Sequence, residues 1–364
     1  MTQRTFSARN ARRLTAVAGV AVLALTLAAC TPGASGSSSK SGDSGLSGQV
    51  VWADYGGTTN AAWKKTFFDP FTAKTGVKVT SATIAGAVMN RMLDGGKGDY
   101  DTIFTDLSVV QLHKENLVKL PSSVERDDQL PASAQDYAFG AMEIGYAQGY
   151  LASTFPNGGP QTWADFWNVK KFPGKRAVPG VYFDYMVEAA LLADGVQPAD
   201  LYPLDLDRAF KKLDELKGNL VFYTEYPQIQ QLLTSGGASI AFGPNGLYAA
   251  LNSQGVKTTV SWNQAFLEPD VFVIPKSAPD IANTTALAQY VTDPKKQAAF
   301  SKLTNYGPGS SAAFAYMSTD LKESVPNAAS HTQLVLSDAT ARAKQYDELD
   351  KRYTEWLTQQ GQGK

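Results

Sequence analysis

An α/β fold built on a parallel sheet is the architecture this sequence predicts, and three observations carry the prediction. From Gln49 onward short apolar runs alternate with amphipathic stretches, the strand-helix-strand order of a parallel sheet. Beyond the first 48 residues about 315 remain, enough for two lobes at the usual domain size. Cys30 is the only cysteine, so no disulfide supports the body and its own core must hold it together.

Residues 1–29 read as a secretory signal peptide. Arg4, Arg9, Arg12 and Arg13 precede an apolar run over residues 14–29, with no acid among them. The run ends Leu27-Ala28-Ala29-Cys30, which resembles the bacterial lipobox and implies lipidation of Cys30 and attachment to the bacterial membrane. Residues 30–48 are Gly- and Ser-rich and too poor in apolar side chains to offset the entropy of ordering, so they form a flexible tether. No later apolar run approaches the roughly 20 residues of a membrane span. The net charge is −1, and setting aside the leader's four arginines (−1 − 4) leaves −5. That balance argues against nucleic acid as a partner and is compatible with a cationic ligand.

The body follows element by element. Residues 49–55, QVVWADY, form a strand; residues 58–76 form a helix with Ala61, Phe67, Phe68 and Phe71 on one side; residues 77–84 form the next strand. A helix over 87–96, a strand over 100–106 and a helix over 107–118, capped by the residues before it, repeat the pattern. Residues 137–153 are β-like and punctuated by glycines. Thr162 caps a short helix, and Pro173-Gly174 turns the chain into another strand. Residues 183–195 and 206–218 have a period near 3.6, the second run ending at Gly218 as a C-cap. Residues 219–224, 238–246 and 270–276 read as strands, and the final hundred residues as mostly helical, including 338–359.

Little in the chain supports bond-making chemistry. Its two histidines, His113 and His331, stand far apart with no ligand-spaced partner, so no metal site is expected. There is no phosphate-binding loop, nucleophile elbow or dinucleotide fingerprint, and no cofactor is expected. The Gly/Ser stretches at 235–239 and 307–311 read as turns.

Aromatics and acids at strand ends stand out instead. Trp52, Asp54 and Tyr55 close the first strand, and open α/β sheets bind ligands beyond the carboxyl ends of their strands. Alternation puts Trp52 and Asp54 on one side, and a ring beside a carboxylate is how a protein holds an ammonium. The same residues equally fit a core tryptophan and a capping aspartate, and both readings stand at this point.

Seven stretches in order, VVWADY, GDYDTIFTDLSVVQLHKENLVKL, QTWADFWNVKKFPGKRAV, EAALLADGV, ASIAFGPNG, DVFVIPKSAPD and DPKKQAAFSKLTNYGPGS, span nearly the whole body. As an ordered set they resemble the polyamine-binding branch of the periplasmic solute-binding proteins, the exported receptors of ABC importers. The resemblance implies a two-lobe periplasmic-binding-protein fold, type II-like, with the ligand cleft between lobes. Lobe 1 would take 49–147 and 269–310, and lobe 2 would take 148–268 and 311–364, closing by a hinge. It implies a monomer that binds a small cationic, polyamine-like solute, hands it to an ABC permease and catalyses nothing.

Carried onto this chain, the resemblance places ligand contacts at Trp52, Asp54, Tyr55, Asp270 and Tyr306, with Asp184 and Glu188 matching an acidic pair at altered spacing. Asn245 and Glu268 complete the expected set. Pro244, Glu268 and Ser108 stand where that branch has aromatic walls, so Glu268, Trp262 and Tyr223 would have to rebuild the site for another amine. The alternative solute is an opine- or amino-acid-like compound or a metal chelate. A hydrolase reading would use Asp184 and Glu188 as an acid pair at i, i+4, but nothing else completes such a site. A surface adhesin would explain the tether but not the rings at strand ends.

Overall fold

The computed structural model describes residues 45–181 and 183–362; the signal peptide, Cys30 and tether residues 31–44 lie outside them. Eleven strands form one sheet. They are β1 Gln49–Asp54, β2 Lys78–Thr83, β3 Thr102–Thr105, β4 Ala138–Leu151, β5 Arg176–Pro179 and β6 Leu220–Tyr223. Then follow β7 Ile240–Pro244, β8 Thr258–Val260, β9 Phe266–Val273, β10 Gly307–Pro308 and β11 Val335–Leu336. The main path runs β2-β1-β3-β9-β4-β7-β5-β6.

The sheet is mixed, where the sequence pattern predicts a parallel one. β1 pairs parallel with β2 and β3, and β5 pairs parallel with β6 and β7. Between these groups stand β9 and β4, antiparallel to each other and to their outer neighbours β3 and β7. β4 has 14 residues; at about 3.3 Å per residue it extends roughly 45 Å, enough to serve both groups. Local alternation cannot reveal this, because partner direction is set by strands far away in sequence.

Most expected helices form, with instructive departures. Residues 57–75 are one helical run containing a π-turn at Lys64–Phe68. The turn precedes Pro70, which has no N–H to give the carbonyl one turn back, and the wider spacing accommodates that loss. Asp106 caps Leu107–His113 by accepting from Ser108 N (2.7 Å) and Val109 N (3.2 Å), and Thr162 caps Trp163–Trp167. The helix Leu206–Asp214 ends before Gly218, which turns the chain at φ 81°. Residues 305–338 are largely irregular, carrying two short strands and short helical turns before the long helix Ala339–Gln359.

Aromatic packing fixes where the site can lie. Trp52 is fully buried, its ring 3.8 Å from Phe272 and 4.9 Å from Phe68 between centroids. This pile locks β1 to β9 and to the helix after β1. Farther along β9, Phe266 stacks on Tyr185 at 4.8 Å and Trp163 packs beside it at 5.6 Å. Tyr353 and Trp356 dock the last helix, Trp356 against Phe222 at 5.8 Å. Burial of such rings contributes about 1.5–3 kcal/mol each, so β9 is clamped at both ends.

Candidate functional site

Between those clamps β9 carries its acids. β3 ends at Thr105 opposite Val271, and β11 reaches only Phe266 and Leu267, so Glu268–Asp270 have no strand on that side. A cavity of about 110 Å³ lies along this open edge. Its walls include Asp106 just after β3, Ser108 from the helix that Asp106 caps, Glu143 from β4, Tyr185, Glu268, and Arg342 from the last helix. The segment around Leu336, Ser337 and Ala339 closes the far wall.

Register sorts the acids. Glu268 lies opposite Ile144 and Asp270 opposite Met142, so both carboxylates share one face, while Glu143 lies opposite Pro269 on the other. The cavity is lined by Glu143 and Glu268 but not by Asp270. Burial, then the nearby Asp106, pushes Glu268 up to about 8. Burial, then Glu268 and Asp106, holds Asp270 well above the usual carboxylate range. Burial, then Asp127 and Glu268, pushes Glu143 up to about 8, and its Oε1 is sealed without a hydrogen-bond partner. Desolvation makes each bare carboxylate unfavourable, and a cation beside Glu268 and Asp270 would relieve that pair.

Several of the expected residues gather beside these acids. Asp270 acts electrostatically on Tyr55 and on Tyr306, raising both phenols further above the level set by their burial; Tyr55 reaches about 12. The Tyr55 side chain is nonetheless 66% exposed and rests edge-on against Phe104 at 6.0 Å. Asp184 accepts from Tyr226 Oη at 3.0 Å, and burial pushes it up to about 7 against that hydrogen bond and the Arg342 charge. Asp184 precedes its helix, which starts at Met186, and sits at φ 39°. It therefore does not form an i, i+4 helical pair with Glu188. Glu188 is fully buried and bound by Arg342, Nε to Oε1 at 2.7 Å, which disposes of the imagined hydrolytic pair.

Three expected ligand contacts are committed elsewhere. Trp52 is enclosed in the aromatic core described above, the core reading of that residue. Asp54 accepts from Gly56 N and from Asn60 Nδ2 (2.6 Å), holding the turn before the next helix without capping it, since the N-cap there is Gly56. Asn245 accepts from Gly145 N at 3.0 Å and donates to the Asn305 carbonyl at 2.7 Å, so its amide ties β7 to β4 and to the chain before Tyr306. Trp262 stacks on His331 at 4.4 Å, and Tyr223 is buried with its hydroxyl donating to Phe242 O at 3.1 Å.

Glu143 and Arg342 were not expected from the sequence. Glu143 sits inside a β-like run with no motif around it, and Arg342 lies on a helix whose pattern reads as solvated. Arg342 Nη2 donates to the Asp184 carbonyl, and the guanidinium lies 4.3 Å over the Tyr185 ring and 5.3 Å over Phe183. Burial opposes its charge, yet Glu188 and the neighbouring Tyr185 and Glu268 outweigh burial and hold its pKa above the ordinary value. Among the described residues no group of three or more His, Cys, Asp or Glu side chains is arranged to hold a metal ion, and no helix is long and apolar enough to cross a membrane.

The sequence profile described as "Bacterial extracellular solute-binding protein" matches residues 66–329. A γ-aminobutyric acid-binding protein of Pseudomonas aeruginosa is 30% identical over 315 residues, covering 83% of this chain and 89% of that protein. Among solved structures, a GABA receptor is 30% identical with a TM-score of 0.77 over 85% of this chain and 97% of its own. A binding protein from A. tumefaciens R10, solved with agropinic acid, is 27% identical with a TM-score of 0.74 over 85% of this chain and 99% of its own. These similarities match the type II periplasmic-binding-protein architecture, an α/β fold with a curled sheet and flanking helices.

Proposed function

This chain belongs to the bacterial extracellular solute-binding proteins, the non-catalytic receptors of ABC importers, and on that footing we propose that its solute is a small, amino-acid-like ammonium compound. The observation that carries the reading is the pair Glu268 and Asp270 on one face of β9, beside Tyr55, Tyr146 and Tyr306, both held above the usual carboxylate range by burial. An ammonium placed there gains charge-assisted hydrogen bonds, and the phenol rings accept its attached methylenes.

The polyamine expectation gives way to its alternative. Pro244, Glu268 and Ser108 remove rings that a polyamine chain would lie between, and the similar proteins are described by GABA and agropinic acid. In this reading the halves 49–147 with 269–310 and 148–268 with 311–364 close over the solute, and lipid on Cys30 holds the receptor near its permease.

Thermal denaturation against γ-aminobutyrate, longer ω-amino acids, putrescine and spermidine tests the reading. A true solute at a hundred times its dissociation constant stabilises by roughly 2.7 kcal/mol. Stabilisation by the amino acids, abolished in Asp270→Asn, is expected; stabilisation by polyamines alone, or by none of the panel, overturns it. Cys30→Ser should release the receptor from the membrane fraction, and continued sedimentation with membranes would exclude the lipid anchor.

A further inference from the structure

The cavity wall opposite β9 is built from the start of the last helix, beyond the last residue matched by the family profile. Arg342 is the only Lys or Arg among its lining residues, which include Asp106, Glu143 and Glu268. We propose that Arg342 is the carboxylate-recognising residue of this cavity, so that the solute spans it with an ammonium at β9 and a carboxylate at the last helix. The proposal rests on the amine reading above and narrows it to a zwitterion with separated charges.

Three features of Arg342 support the role. Its orientation is fixed before any ligand arrives: Nε is held by Glu188 at 2.7 Å, Nη2 by the Asp184 carbonyl, and the flat face by Tyr185 at 4.3 Å. Its donors are not exhausted, because a guanidinium has five N–H bonds and these contacts use two. Nη1 has no hydrogen-bond partner among the described residues and is not a sealed atom. Guanidinium N–H groups arranged as a rigid fork suit a carboxylate, where a lysine would offer a point charge.

Tyr185 stands next to it, lining the same cavity beneath the guanidinium with its hydroxyl turned to Glu268. Glu188 does not compete for the solute's position, since it is fully buried behind Arg342 and absent from the lining. It neutralises much of the arginine's charge. Recognition therefore depends on directed hydrogen bonds more than on net attraction, and it should read carboxylate against carboxamide.

The test is calorimetric titration of the purified receptor with ω-amino acids of three to six carbons, each paired with its carboxamide. The wild type should prefer the acid of its best pair by at least tenfold, and Arg342→Lys should cut that preference to threefold or less while the carboxamide binds as before. Equal affinity for acid and carboxamide in the wild type overturns the proposal and leaves the amine reading standing, as does an undiminished preference in Arg342→Lys. If neither member of any pair binds, the amine reading fails and takes this inference with it. Should Arg342→Lys not fold, Arg342→Gln takes its place, with the same loss of acid preference expected and an undiminished preference overturning the proposal.

Discussion

Replacing Glu143 by Gln should make the protein more stable, and only above acidic pH. The carboxyl is 2% exposed, Oε1 has no partner, and burial pushes the group up to about 8 from its ordinary 4.5. Between those values the folded state keeps a proton that the unfolded chain has released. The native state then binds more protons than the unfolded one, so stability falls as pH rises. Each pH unit corresponds to about 1.36 kcal/mol, so going from pH 4.5 to 7 costs the wild type about 3 kcal/mol at this one site. Glutamine has nearly the same shape and cannot ionise. Urea unfolding of both proteins near pH 4.5 and again at pH 7 gives the comparison, with other titrating groups cancelling in the difference. The variant should be close to the wild type at pH 4.5 and more stable by about 3 kcal/mol at pH 7. A difference that is the same at both pH values would show that Glu143 is not held protonated by burial, and the electrostatic description of the cavity would fall with it.

The remaining expectations concern the division between core and site. Trp52→Ala should destabilise by about 3–5 kcal/mol by emptying the pile against Phe68 and Phe272, whereas Trp52→Phe should leave solute affinity unchanged in calorimetry; a large affinity loss in the Phe variant would return Trp52 to the binding site. Asn245→Ala should cost about 1–3 kcal/mol in urea unfolding because it strips the Gly145 N–H and the Asn305 carbonyl of their partner, with no loss of discrimination among solutes. Amine affinity should rise with pH through the neutral range, because Glu268, pushed up to about 8, must lose its proton to pair with an ammonium. From pH 7 to 9 that is about a tenfold gain, measurable by titration with γ-aminobutyrate; a flat profile would mean that Glu268 is already ionised or takes no part.

How much was legible from the sequence differs between residues of the same short stretch. In QVVWADY the strand was evident from alternation, yet Trp52 and Asp54 fitted two roles equally well. Only their neighbours decided between them: Phe68 and Phe272 around the ring, Gly56 and Asn60 around the carboxylate. Asp270, Glu268, Tyr55, Tyr306 and Asp184 were identified through family resemblance and do lie near one another. Asn245 carried the same resemblance, and its amide is bonded to two backbone groups, Gly145 N and Asn305 O. Glu143 and Arg342 carried no sequence signal, because neither belongs to a motif and each gains its character from elements distant in the chain.

The sequence by itself determined the α/β class, most strands and helices, and the family. All of these rest on local periodicity, caps and ordered motifs, which are written in consecutive residues. Tertiary structure alone decided that β4 and β9 run antiparallel through an otherwise parallel sheet, that β9 leaves an open edge at Glu268–Asp270, and that Arg342 faces it. The reason is that burial and field at a carboxylate are sums over everything within a few ångströms. Those neighbours come from β1, β3, β4, the loop after β5 and the last helix, whose meeting no local pattern records.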